Sequence, residues 1–65
     1  MYIVEKRTET GEWRKVCEVQ TFDDATDAGY TEVCDIVNYS KMGRFFYFTD
    51  DTKPPFKGRI YAIDS

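Results

Sequence analysis

Six carboxylates, Glu18, Asp23, Asp24, Asp27, Glu32 and Asp35, fall between Lys15 and Lys41 with no Lys or Arg among them. The remaining residues hold the other six acids and all nine bases, so a segment of charge −6 is joined to a remainder of +3, and the formal net charge is −3. Charge of one sign on a small domain attracts cationic partners, or occupies a cationic site meant for something else. The chemistry on offer is recognition of Lys and Arg by carboxylate, which uses charge-assisted hydrogen bonds.

Catalytic chemistry fails on inventory. The chain has no His, and its only serines are Ser40 and Ser65, so a nucleophile with an imidazole base is not available. Cys17 and Cys34 stand 17 residues apart without the paired-cysteine spacing of a tetrahedral zinc site. The four glycines are scattered singly and make no phosphate-cradling loop. Asp50-Asp51 is an adjacent acid pair, but neighbours on a loop rarely face one cleft, and a solvated turn is the plainer reading. The expectation is a non-enzyme with no catalytic residue, no cofactor and no metal.

For nucleic acid there is one loose motif. Lys41-Met42-Gly43-Arg44-Phe45-Phe46-Tyr47-Phe48 resembles the aromatic strand of RNA-recognition and cold-shock domains, whose rings stack on bases. Arg44 separates Gly43 from the first ring, and Phe46 stands where a second small residue is expected. Arg7, Arg14, Arg44, Lys57 and Arg59 could lend the sheet a local positive field, yet the negative net charge opposes phosphate binding. Direct nucleic-acid binding is therefore not the expectation.

These residues need elements to position them. Tyr2 to Thr8 is rich in strand formers, and Gly11 can supply the positive φ of a hairpin into Glu12–Val19. In that second run Trp13, Lys15, Cys17 and Val19 fall on one side and Arg14, Val16 and Glu18 on the other. Thr21 is a good N-cap, with Asp23 and Asp24 in the first turn where the helix dipole favours anions. Phe22, Ala25, Gly29, Val33, Ile36 and Val37 then recur at helical spacing and predict a helix over 22–37. Gly29 inside that helix suggests a close crossing over the sheet. Residues 38–43 read as a connection, 44–49 as an aromatic strand central to the sheet, 50–57 as a loop containing Pro54-Pro55, and 59–63 as the last strand. The predicted fold is one α+β domain over residues 1–65, with order ββαββ: a four-stranded antiparallel sheet with the helix packed on one face.

A chain of 65 residues buries only about 60% of the surface its unfolded form exposes, and eleven Trp, Tyr and Phe residues offer the compensating bulk. With no charged-then-apolar leader, Cys17 and Cys34 read as reduced thiols of a cytoplasmic protein. No apolar run approaches the roughly 18 residues of a membrane span, so no membrane partner is expected.

Two surfaces become candidates for partner binding. The first is the acidic helix, with Asp23, Asp24, Asp27, Glu32 and Asp35 expected on its outward side; carboxylates three or four residues apart lie about 5 to 6 Å from one another, comparable to phosphates along a strand. Such a row can mimic nucleic acid toward Lys and Arg side chains. An acidic helix face more commonly does no more than keep a protein soluble. The second is the uncovered sheet face, where Phe45, Tyr47 and Tyr61 form an apolar patch if Phe46 and Phe48 point inward. The long loop or Trp13 could equally cover that patch.

A 65-residue chain that begins in a strand, with one hairpin, one acidic helix and an aromatic second hairpin, resembles the small inhibitors carried by phages and mobile elements. Anti-CRISPR proteins and phage inhibitors of host polymerases or nucleases are the groups in question. The resemblance covers the whole chain and rests on size, layout and charge distribution. It implies a protein of the host cytoplasm that acts by tight non-catalytic binding. The acidic surface makes the expected partner a host protein or nucleoprotein complex with a basic site, bound by a monomer or homodimer. The alternative is a structural or assembly module that self-associates or joins a complex through a strand edge and the aromatic sheet face.

Overall fold

The computed structural model describes residues 1–51 and 55–63. The strands are β1 (Tyr2–Arg7), β2 (Trp13–Val19), β3 (Asn38–Met42), β4 (Phe45–Thr49) and β5 (Gly58–Ala62), with one helix, α1 (Phe22–Glu32), between β2 and β3. They form one five-stranded sheet in the order β2-β1-β5-β4-β3, and every neighbouring pair is antiparallel. The α+β class agrees with expectation; the order is ββαβββ, one strand more than predicted. Of the predicted loop over 50–57, residues 52–54 lie outside the described residues.

The additional strand is β3, which the sequence reads as a connection because Asn38, Ser40 and Gly43 are turn formers and its apolar alternation is weak. Its place comes from its partner. Met42 pairs with Phe45 across a two-residue loop, and Gly43 holds φ +61° at the first central position, where a type II′ hairpin turn requires it. The aromatic strand β4 therefore lies between β3 and β5, interior to the sheet, while β5 takes the middle.

The first hairpin forms as expected, with Gly11 at φ +88°. Its faces differ from the predicted assignment. The ladder runs Val4 to Cys17 and then Glu5 to Lys15, so Val16 is an extra residue at a bulge. A bulge reverses the alternation beyond it: Cys17 and Val19 share the helix side with Val4, whereas Trp13 and Lys15 share the opposite side with Glu5.

Helix α1 begins as its sequence dictates, with the Thr21 side chain accepting from the Asp24 N–H at 3.1 Å. It stops at Glu32, five residues before the predicted end at Val37. Val33 caps it at φ −116° and ψ −74°, and the N–H groups of Val33 and Cys34 both donate to the Gly29 carbonyl, at 3.0 and 3.1 Å. Two forces shorten it. Val33, Ile36 and Val37 are β-branched and poor in a last turn, and no basic residue offsets the dipole there. By Val37 the chain already donates to the Thr49 carbonyl at 3.1 Å, as an approach to the sheet.

Val4, Ala25, Phe48 and Ile60 are fully enclosed between helix and sheet, ringed by Tyr2, Val16, Cys17, Val19, Val33, Ile36 and Phe46. The helix lies over β1, β2 and β5 and makes no close backbone approach to β3 or β4. Phe48 bridges the gap by reaching under Gly29.

Candidate functional site

Asp23, Asp24, Asp27 and Glu32 are all exposed on α1, as predicted. Asp35 is exposed too, but the early helix end puts it on the segment leading to β3, so it does not continue the helical row. Among the described residues no ion pair engages these five carboxylates; the pairs present are Lys15 with Glu18, Lys57 with Asp50 and Arg59 with Glu5. The hydroxyls of Thr26 and Thr31 turn back to the carbonyls of Asp23 and Asp27, at 2.8 and 2.6 Å, and leave the carboxylates to solvent. Such a surface holds fixed negative charge that no ion pair among the described residues neutralises.

The sheet face away from the helix carries the second candidate. Phe48 is enclosed and Phe46 belongs to the rim of the helix-side core, which sends Phe45 and Tyr47 outward. Phe45 lies across from Tyr61 with centroids 5.1 Å apart and beside Tyr47 at 5.7 Å, so the three predicted rings are brought together. Trp13 and Phe56 flank Tyr47 at 5.8 and 5.7 Å and cover part of the patch.

At the centre of these rings stands Arg59, a residue that the sequence offers only as a contributor to surface charge. Its guanidinium is 4.4 Å from the Trp13 ring centroid, 4.8 Å from Phe45 and 5.7 Å from Tyr61, and its Nε donates to Glu5 Oε1 at 2.5 Å. Burial alone would lower the Arg59 pKa, yet its hydrogen bonds to Glu5 and Tyr47 outweigh that and raise it above the usual value. The aromatic face is thus filled by the protein's own cation. Arg44 adds a second, 5.5 Å from Tyr61, with its Nη2 donating to the Ala62 carbonyl at 3.0 Å. Only the cross-strand register puts Glu5 opposite Arg59, which is why linear spacing does not disclose the pair.

On the helix side, the part of the sheet that α1 leaves uncovered forms a groove of about 590 Å³ between Phe22 and the β3–β4 hairpin. Phe22 packs edge-on against Tyr2 at 5.8 Å and Phe46 at 5.3 Å, and Tyr39 stacks on Phe46 at 5.2 Å. Lys41 and Arg44 also line it. This groove was hidden from sequence reasoning, since a helix reaching Val37 and a four-stranded sheet leave no such gap.

No group of three or more His, Cys, Asp or Glu residues suited to a metal occurs among the described residues. No helix among them is long and apolar enough to cross a membrane. Comparison of the chain with protein-family models, with curated proteins and with solved structures finds no match.

Proposed function

We propose that this protein is a small non-catalytic inhibitor of the phage or mobile-element kind, which binds a host complex in the cytoplasm by laying its acidic helix surface into a basic nucleic-acid-binding site. The observation that carries this reading is the set Asp23, Asp24, Asp27 and Glu32, all exposed and none held in an ion pair among the described residues. Unpaired carboxylates keep their full field for a partner, where they steer encounter and pair with Lys and Arg. Asp35 contributes charge from beside the row. To test it, partners are captured from host lysate, identified by mass spectrometry, and their affinity is measured against salt for Asp23→Lys, Asp24→Lys and Asp27→Lys combined. The reading requires weaker binding and a flatter salt dependence; unchanged affinity in a folded variant removes it.

A second reading, an assembly module, is favoured by one observation. The edge strand β3 leaves Tyr39 66% and Met42 50% exposed, and an unpaired edge with apolar side chains is a template for another strand. Together with Phe45, Tyr47 and Tyr61 on the outer face it would join a second copy or a larger complex. Light scattering of the isolated chain separates the two readings. A dimer that Tyr39→Ser disrupts, and the Lys substitutions leave intact, supports assembly.

A further inference from the structure

The helix-side groove meets the surface of the assembly reading only at Tyr61 and the β3 edge, and neither reading uses its interior. Its walls are apolar, with Tyr2, Phe22, Phe46 and Ile60, and its volume of about 590 Å³ lies within the range of about 300 to 1,000 Å³ typical of ligand pockets. Phe22 stands at its mouth, 38% exposed. The charge around it is one-sided. Lys41 and Arg44 line the end formed by the β3–β4 turn, and among the described residues no Asp or Glu lines the groove. Lys41 pairs with Phe46 across the ladder and so points to the helix side, while Arg44 borders the groove's end, bonded to the Ala62 carbonyl with its guanidinium 5.5 Å from the centroid of Tyr61, which lines the same end. At that turn, space is open: a Cβ added to Gly43 meets nothing within 4 Å. Asp23 and Asp24 sit beyond the opposite wall, in the turn that carries Phe22.

From this arrangement we infer that the groove is a docking site for a protein segment that lays one apolar side chain against the Phe22 and Phe46 rings and sets an adjacent carboxylate on Lys41 and Arg44. Charge complementarity selects that occupant over a basic or neutral one. Two cations at one end, with acids behind the other wall, also orient it: the segment's carboxylate lies toward the β3–β4 turn and away from the first turn of α1. The apolar walls supply the affinity and the cations the direction. The partner so engaged is acidic, the opposite of the partner proposed for the helix surface, so the protein would hold two partners of opposite charge, or two regions of one.

The probe is a pair of hexapeptides, one with a central Phe flanked by Glu residues and the other with the same Phe flanked by Lys residues. Each is titrated into the full chain while amide shifts are recorded by NMR at low salt. The Glu peptide is expected to shift Phe22, Lys41, Gly43, Arg44 and Phe46 saturably, the Lys peptide to bind at least tenfold more weakly, and Lys41→Glu to remove the preference. Lys41 is exposed and makes no ion pair among the described residues, so that variant keeps the fold, which the dispersion of its own spectrum verifies. The inference is overturned if neither peptide shifts the groove at millimolar concentration, or if both bind equally. It is also overturned if the groove resonances change with protein concentration alone, which assigns the surface to a second copy of this chain. None of these outcomes depends on the acidic helix having a partner.

Discussion

A Cβ added to Gly58 would lie 2.2 Å from Cζ of Phe48, closer than two non-bonded carbons tolerate. Gly58 and Phe48 are ladder partners on β5 and β4, and the ring lies across the glycine with further atoms at 2.6 and 2.8 Å from the same point. From the helix, Gly29 approaches the same ring, with a Cβ there 3.0 Å from Cζ. The most enclosed ring of the core therefore occupies room left by two missing side chains, one from a strand and one from a helix.

Gly58→Ala is accordingly expected to cost about 1 to 3 kcal/mol, the usual range for overpacking a filled core, read from urea denaturation. Gly29→Ala should cost less, because a gain of about 1 kcal/mol in helix propensity works against the tighter contact. Replacing the ring by Phe48→Leu makes room, so Gly58→Ala in that background should cost clearly less than in the parent. An equal cost in both backgrounds would show that the ring is not what excludes a Cβ.

Which parts of this were legible in the sequence follows from the range of the interactions. Thr21 as N-cap, Gly11 as hairpin turn and Gly29 as a point of close approach are local signals, and each performs the expected role. The helix end at Glu32 and the strand Asn38–Met42 were not legible, because Val37 is drawn away from the helix by bonding to a distant strand, through the Thr49 carbonyl. Alternation pairs Phe45 with Tyr47 but leaves open whether that pair or Phe46 with Phe48 faces outward; the ladder of β4 and β5, which contains no bulge, sets Tyr61 opposite Phe45. The face of Trp13 was not, since the bulge at Val16 depends on pairing with β1. Arg59 and Glu5 sit 54 residues apart, a separation no motif spans.

That Glu5–Arg59 pair carries its own expectation. The side chains are only 12% and 19% exposed, so removing one leaves a mostly buried charge without its partner. Glu5→Gln should destabilise by about 2 to 3 kcal/mol, below the full range for buried pairs because some solvent reaches both groups. Arg59→Met, which keeps the packing on Trp13 and Phe45, should cost less when combined with Glu5→Gln than the two costs added. Additive costs in the denaturation cycle would mean that the pair is energetically uncoupled.

Alkaline pH should weaken the fold. Burial, with the Asp50 carboxylate next in effect, raises the Cys34 thiol pKa, and Lys57 opposes them. The unfolded thiol ionises near about 8.5, so between that pH and the higher folded value the unfolded chain releases its proton first and stability falls as pH rises. Lys57, raised by its hydrogen bond to Asp50 at 2.6 Å, acts in the same direction. Its contribution is complete below the unfolded lysine pKa of about 10.4 and is lost as pH rises through the folded one. Urea midpoints should thus fall between about pH 9 and 11, and Cys34→Ala should flatten the start of that decline. Alkylation of Cys34 should need a higher pH than a model thiol, moving down in Asp50→Asn and up in Lys57→Gln. An alkylation profile matching the model thiol would contradict the assigned surroundings.

The occupied ring faces also set an expectation for nucleic acid. Base stacking needs an uncovered aromatic face, and on the outer sheet the guanidinium of Arg59 already lies 4.4 Å from the Trp13 centroid and 4.8 Å from that of Phe45. To stack there a base must displace a cation that is also bonded to Glu5, which forfeits the cation–π contacts and strands the carboxylate. The overall charge of −3 adds repulsion toward phosphate. Single-stranded RNA at low salt should therefore leave Trp13 fluorescence unchanged, in the parent and in the Asp24→Lys variant alike. Arg59→Met is the informative variant: it removes the cation from the rings while keeping their packing, and a weak quench appearing only there would show that Arg59 is what closes this face to bases. A salt-sensitive quench in the parent protein would instead establish that the face binds nucleic acid directly.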